Sequence, residues 1–267
     1  MRLAAPLSML AFCRALQRSH RRPLATTVRR ATTAEQPPLH LHDGDRVLPP
    51  MVQADGSKYG LDKGLVRPPD ADALWEWYVA TGRDARDPDP SWGDVWDSAR
   101  ALAAHLRSDA RSVAGLRCVE LGAGLGVVGL AAARAGAAAV TLVDREPECL
   151  HCAMATASLN GLSAGAAGAP GVIVSAAVGD FAAVDVPRAD VVLGSDILYD
   201  GAAMAALADA CERLAPRALI ADPVAGRAEG ARAAFVAAAA ARGGTITEQT
   251  LDTGDAEPTL LLAVDWS

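Results

Sequence analysis

Aromatic residues are scarce in this chain, at 4% of its 267 positions, so its core has to be built from small aliphatic side chains. No apolar run approaches the ~18 residues needed to span a bilayer, which excludes a membrane-spanning helix. Cysteine is sparse too. Cys13, Cys118, Cys149, Cys152 and Cys211 are scattered and odd in number, which argues for a reducing compartment and against a disulfide framework. Cys149, His151 and Cys152 invite a metal reading, but they stand on a segment that reads as helix, with no second ligand pair, so no metal is expected.

Acidic residues are missing before Glu35, while the same stretch holds Arg2, Arg14, Arg18, Arg21, Arg22, Arg29 and Arg30. Leu3, Leu7, Leu10 and Leu16 share one face of a helix whose other face is basic. Residues 1–34 are therefore expected to be a transit peptide, mitochondrial first and chloroplast second. Taking those seven arginines from 25 basic residues leaves 18 against 32 acidic, a net of −14 for residues 35–267. An acidic body repels phosphate backbones and lacks the basic footprint of a nucleic-acid binder. It suits a basic partner, such as a protein presenting lysine.

What is present is a 51% hydrophobic composition, enough for one large α/β core. That core is organised around one stretch. Leu116 to Leu121 is a short apolar run that reads as a buried strand, and Val127 to Ala135 is an alanine-rich helix ending at Gly136. Between them Gly122, Gly124 and Gly126 make a turn without β-carbons, whose N–H groups can approach a polar or anionic ligand closely. Strand, glycine turn and helix form the ligand-binding corner of a doubly wound sheet. Gly124, Gly126 and Gly129 formally match a dinucleotide fingerprint, but that register puts Gly126 and Gly129 inside the helix. Glu120, Gly122, Gly124 and Gly126 fit better the motif of S-adenosylmethionine (SAM)-dependent methyltransferases, where the acid and the turn receive the methionine part of SAM. The next strand, Ala139 to Asp144, ends in a carboxylate placed to accept both ribose hydroxyls, a role common to SAM and NAD sites.

The rest of the chain alternates in a consistent way. Residues 35–87 read as a Pro/Gly-rich, weakly patterned lead-in with a short helix capped by Asp70 or Asp72. Residues 88–267 read as the main domain. Ser91 to Leu106 is an amphipathic helix, with Val95, Ala99, Leu102, Ala103 and Leu106 on one face. Its Trp96 offers an indole face to the sulfonium or the adenine. After Asp144 come a helix from Pro147 to Asn160, strands over 171–175 and 189–194, a helix over 201–214, a strand over 217–222 and a helix over 226–242. Two closing strands, 245–251 and 259–265, lack an intervening helix. The expected fold is therefore a doubly wound, seven-stranded, Rossmann-like α/β sheet whose last two strands are antiparallel to each other.

Ligands sit at the carboxyl ends of the strands in such sheets, so those ends are read together. Asp180 is placed to accept from an adenine amino group, with Phe181 on the ring. Ser195, Asp196 and Tyr199 follow the apolar strand that contains Val191, Val192 and Leu193. An acid–aromatic pair three residues apart can orient an ammonium and let its proton leave. The alternative is that Asp196 only caps the helix near Gly201.

Glu120 with its glycine turn, the helix start at Trp92 and Trp96, and the run from Val191 to Asp200 resemble the seven-strand protein-lysine methyltransferases. That group includes the electron-transfer flavoprotein β-subunit lysine methyltransferase. The resemblance implies SAM contacts at Trp96, Gly122, Ala123, Gly124, Asp144 and Ser195, with Asp196 and Tyr199 at the acceptor nitrogen. Members usually carry tryptophan in the loop after strand three, where this chain has Phe181. Asp222 with Pro223 looks closer to the flavoprotein-directed branch. The expected activity is SAM-dependent methylation of lysine in an organellar protein. A small-molecule N-methyltransferase, a catalytically silent SAM-fold binding module and an NAD oxidoreductase are the rivals. The sequence assigns no oligomeric state.

Overall fold

A computed structural model describes residues 42–43, 46–83, 90–162, 172–251 and 257–267. The expected transit peptide and the loop over 163–170 lie outside the described residues. Strands β1 (His42–Asp43) and β2 (Arg46–Val47) form a minimal pair. They precede a hairpin of β3 (Val52–Gly56) and β4 (Leu61–Arg67), joined through a single turn over Ser57–Tyr59. Then follow α1 (Ala71–Ala80), α2 (Asp97–Ser108), β5 (Arg117–Leu121), α3 (Val127–Arg134), β6 (Ala139–Asp144) and α4 (Pro147–Leu159). The chain closes through β7 (Ile173–Val178), β8 (Val191–Ser195), α5 (Met204–Leu214), β9 (Arg217–Pro223), α6 (Ala231–Ala241), β10 (Thr245–Leu251) and β11 (Thr259–Asp265).

The last seven strands form one sheet in the order β10-β11-β9-β8-β5-β6-β7. All neighbours from β9 to β7 run parallel, while β11 is antiparallel to both β9 and β10. The expected seven-stranded sheet with an antiparallel final pair is what the chain forms. Strand order reverses between β5 and β8, and that switch point opens a crevice at their carboxyl ends.

Side chains alternate across the sheet and feed two cores. Cys118, Val191, Leu193, Leu219 and Leu261 face one core, which α2, α3 and α4 cover. Val119, Leu121, Val192, Ile220 and Leu262 face the other, filled by Met204, Leu207 and Leu214 of α5 and Phe235 of α6. Small residues bring the layers close. A β-carbon on Gly129 of α3 would lie 2.5 Å from Leu142 Cδ2 and 3.0 Å from Val140 Cγ1. At this position only glycine lets the helix rest on the sheet.

The structure departs from the sequence reading at the front of the domain. The β3–β4 hairpin stands where an extended lead-in was expected, and its Leu61, Leu65 and Val66, with Met51 just before it, are buried in the first core. It is pinned to α4. Val66 N–H donates to Thr156 Oγ1 (2.9 Å), Lys63 N–H donates to Asn160 Oδ1 (3.1 Å), and Asn160 Nδ2 donates to Gly64 O (2.8 Å). Asp70 caps α1, accepting from Ala73 N–H at 2.7 Å. The helix expected from Ser91 begins instead at Asp97, because Pro90–Gly93 form a 3-10 turn that buries Trp92, whose Nε1 donates to Tyr78 Oη at 2.9 Å. Among the described residues no helix is long and apolar enough to cross a membrane.

Candidate active site

At the end of β5 the chain turns through three left-handed glycines, Gly122 (φ 63°), Gly124 (φ 50°) and Gly126 (φ 71°), before α3 begins. Side-chain-bearing residues seldom adopt this backbone, which explains the spacing of the glycines. The turn is tied down from β6. Ala123 N–H donates to Val143 O (3.0 Å), and Gly124 N–H donates to Asp144 Oδ2 (2.8 Å). Glu146 N–H donates to the other oxygen of Asp144 at 2.9 Å, so this carboxylate is aimed by two backbone groups. Burial pushes its proton affinity up, and these two N–H groups pull it back down.

Glu120 lies beneath the turn. It is 1% exposed, and its Oε2 accepts from Gly129 N–H at 2.8 Å, bracing the first turn of α3. Burial pushes its carboxyl up to about 8. This bracing role lies beyond the sequence reading, which saw only a contact with the methionine part of SAM.

Across the switch point, β8 ends at Ser195 and the chain enters Asp196, whose φ of 57° is the sole positive value of a non-glycine among the described residues. Ile197 then wedges between the two strand ends. A β-carbon on Gly122 would stand 2.6 Å from Ile197 Cγ2, and one on Gly194 would stand 2.5 Å from Ile197 Cδ1. The glycine turn and the segment from Asp196 to Tyr199 are therefore packed as one unit. The Asp196 side chain is 7% exposed and is paired with Arg227, whose guanidinium also stacks on the Trp96 ring, with Cζ 4.3 Å from the centroid. Burial raises the proton affinity of Asp196, and Arg227 opposes that shift. Asp200, not Asp196, caps the turn at Gly201, accepting from Ala202 N–H at 2.9 Å.

Every candidate residue but one lines a single cavity: Trp96, Glu120, Gly122, Ala123, Gly124, Asp144, Asp180, Phe181, Ser195, Asp196 and Tyr199. The exception is Gly126, which belongs to packing. A β-carbon there would meet Ala153 Cβ at 2.9 Å and Leu142 Cδ1 at 3.0 Å. Asp180 spends one oxygen on Ala182 N–H (2.8 Å) beside Phe181. Asp94, Arg145 and Glu146 also reach the cavity, and Glu146 had a signal, since it stands two residues after Asp144. Arg227 had none.

The residues present fit SAM. A β-carbon on Gly124 would find nothing nearer than Trp92 O at 3.7 Å, so the turn offers bare backbone to the cavity. The aimed Asp144 suits a ribose diol, and a wall of carboxylates and indoles suits a sulfonium. Sheet order, glycine turn and strand-end acid together define the fold of the seven-stranded SAM-dependent methyltransferases. Residues 89–220 match the family model described as lysine methyltransferase.

Among curated relatives, histone-arginine methyltransferase METTL23 of Xenopus laevis is 30% identical over 109 residues, covering 40% of this chain and 44% of that protein. Protein N-lysine methyltransferase METTL21A of Danio rerio is 49% identical over 53 residues, covering 20% of this chain and 24% of that protein. The chain thus spans less than half the length of either. A methyltransferase structure from Pyrococcus furiosus shares the fold at a TM-score of 0.50 and 14% identity, covering 63% of this chain and 83% of that one.

Proposed function

We propose that this protein is a SAM-dependent N-methyltransferase that modifies lysine side chains of a protein partner in an organelle, the mitochondrion first. One observation carries the reading: Asp196 and Tyr199 line the same cavity as the glycine turn and Asp144. Cofactor and acceptor groups therefore converge on one space. SAM supplies a methyl group on a positively charged sulfur. The chain has to hold an amine in line with that methyl and let the amine lose a proton, since lysine is protonated near neutral pH. The buried carboxylate of Asp196 orients the ammonium, and Tyr199 walls its channel. With SAM bound, the amine would first give up its proton to solvent, and its lone pair would then form the N–C bond as the S–C bond breaks. The family match and the lysine activity in the name of METTL21A support lysine as acceptor. The net charge of −14 without the first 34 residues supports a basic partner.

The test incubates the protein with radiolabelled SAM and organelle extract, identifies the labelled band, and maps the methyl by mass spectrometry. Asp196→Asn keeps the shape and loses the charge, so turnover at saturating SAM should fall by about 10²–10⁴. Full activity in that variant, or methyl groups on a small metabolite instead of lysine, would show the reaction to be another.

A further inference from the structure

The carboxylate that faces the acceptor already holds a cation of the chain itself. Arg227 directs both Nε (2.8 Å) and Nη2 onto Oδ1 of Asp196 while its plane lies on the Trp96 indole. A carboxylate at the edge and an aromatic ring on the face make a complete seat for a cation. Asp196 and Trp96 both line the cavity. The second oxygen, Asp196 Oδ2, is buried, and the buried Ser98 hydroxyl on α2 is the neighbour that helps to hold the carboxyl's proton affinity down.

Arg227 reaches this seat from an irregular turn between β9 and α6. Gly226 (φ 79°) precedes it, Gly230 (φ 75°) closes the turn, and Val224, Ala225, Glu229 and Gly230 are exposed. The neighbouring Arg232 does the bracing at this corner. It donates through Nε to the fully buried Asp222 (2.8 Å) and through Nη1 to Val224 O (3.1 Å). The turn is anchored without Arg227, which leaves that side chain able to leave Asp196.

Resting on the acceptor reading, we propose that Arg227 is a specificity-determining residue, an internal competitor that a substrate's cationic side chain must displace from Asp196 and Trp96. Exchange of one cation for another gains little by itself, so the entering group needs binding energy from contacts outside the cavity. A lysine presented on a protein surface has such contacts, and a small free amine does not. Arg227 thereby favours protein acceptors over metabolites.

The experiment uses two small alkylammonium probes with the full-length chain. Methyl transfer to Nα-acetyl-lysine methylamide is measured for wild type, Arg227→Gln, Arg227→Ala and Arg227→Lys at alkaline pH, which favours the charged form of a carboxylate that has lost its partner. Both neutral variants should gain at least tenfold in kcat/KM, chiefly through KM, whereas Arg227→Lys, which keeps a competing charge, stays near wild type. SAM affinity should remain within twofold throughout. In parallel, n-butylammonium is titrated into protein saturated with S-adenosylhomocysteine, following the Trp96 indole N–H resonance. Arg227→Gln should bind it at least tenfold more tightly than wild type does. Unchanged or weaker probe binding in that variant, or a fall in kcat/KM with SAM affinity intact, would overturn the proposal and make Arg227 a helper of Asp196. Failure of the acceptor reading shows separately, as full turnover in Asp196→Asn, while the titration still reports whether Arg227 blocks a cation seat.

Discussion

Glu120→Gln isolates the cost of keeping a carboxyl group under the glycine turn. Burial lifts this group from an ordinary 4.5 to about 8. Between those two pH values the unfolded chain has released the proton and the folded protein still holds it. The folded state therefore binds more protons, so its stability falls as pH rises through this window and levels off above about 8. Each pH unit inside the window is worth ~1.4 kcal/mol, which puts the whole of it on the order of 3–5 kcal/mol. Glutamine keeps an oxygen for Gly129 N–H and cannot ionise, so the variant loses this slope. Urea unfolding of both proteins should be followed at several pH values from about 5 to 8, with SAM absent. The variant should be equal or slightly inferior at the acid end and gain roughly 3 kcal/mol relative to wild type by the alkaline end. Parallel stability curves across the range would refute the reasoning, because they would mean that Glu120 is ionised in the fold at neutral pH.

Two further outcomes bear on other parts of the chain. Asp144→Ala removes an aimed carboxylate whose charge-assisted hydrogen bonds are worth about 1.5–3 kcal/mol each; calorimetry should show SAM affinity down at least tenfold with the circular dichroism spectrum intact. A reporter fused to residues 1–40 should enter an organelle, the mitochondrion first, and be clipped before Asp43, and a full-length cytosolic reporter would remove the transit-peptide reading.

The sheet was legible because each of its parts carries a local mark. The β5 run, three glycines at alternate positions and an alanine helix specify one corner, and Asp144 closes it at a fixed distance along the next strand. The place of Asp196 and Tyr199 at the cavity was legible too, from a short motif after an apolar strand. The β3–β4 hairpin was not, because Gly56, Gly60 and Gly64 interrupt its pattern and its partner is helix α4, far along the chain. The start of α2 was misplaced since the apolar period continues through Val95, whereas Pro90 and the buried Trp92 favour a separate turn. Arg227 was invisible: 31 residues separate it from Asp196, and an arginine in an alanine- and glycine-rich turn has no periodic context.

The hairpin also decides what the protein can do to itself. This chain contains only two lysines, Lys58 and Lys63, against 23 arginines. Both are exposed, one in the tip and one on β4, and the hairpin that carries them is fastened to α4 through Thr156 and Asn160. Any self-methylation by the proposed lysine activity would thus be confined to these two side chains. Replacing both by arginine keeps the net charge and leaves this chain without lysine. In a labelling experiment, all methyl-lysine recovered would then come from other proteins.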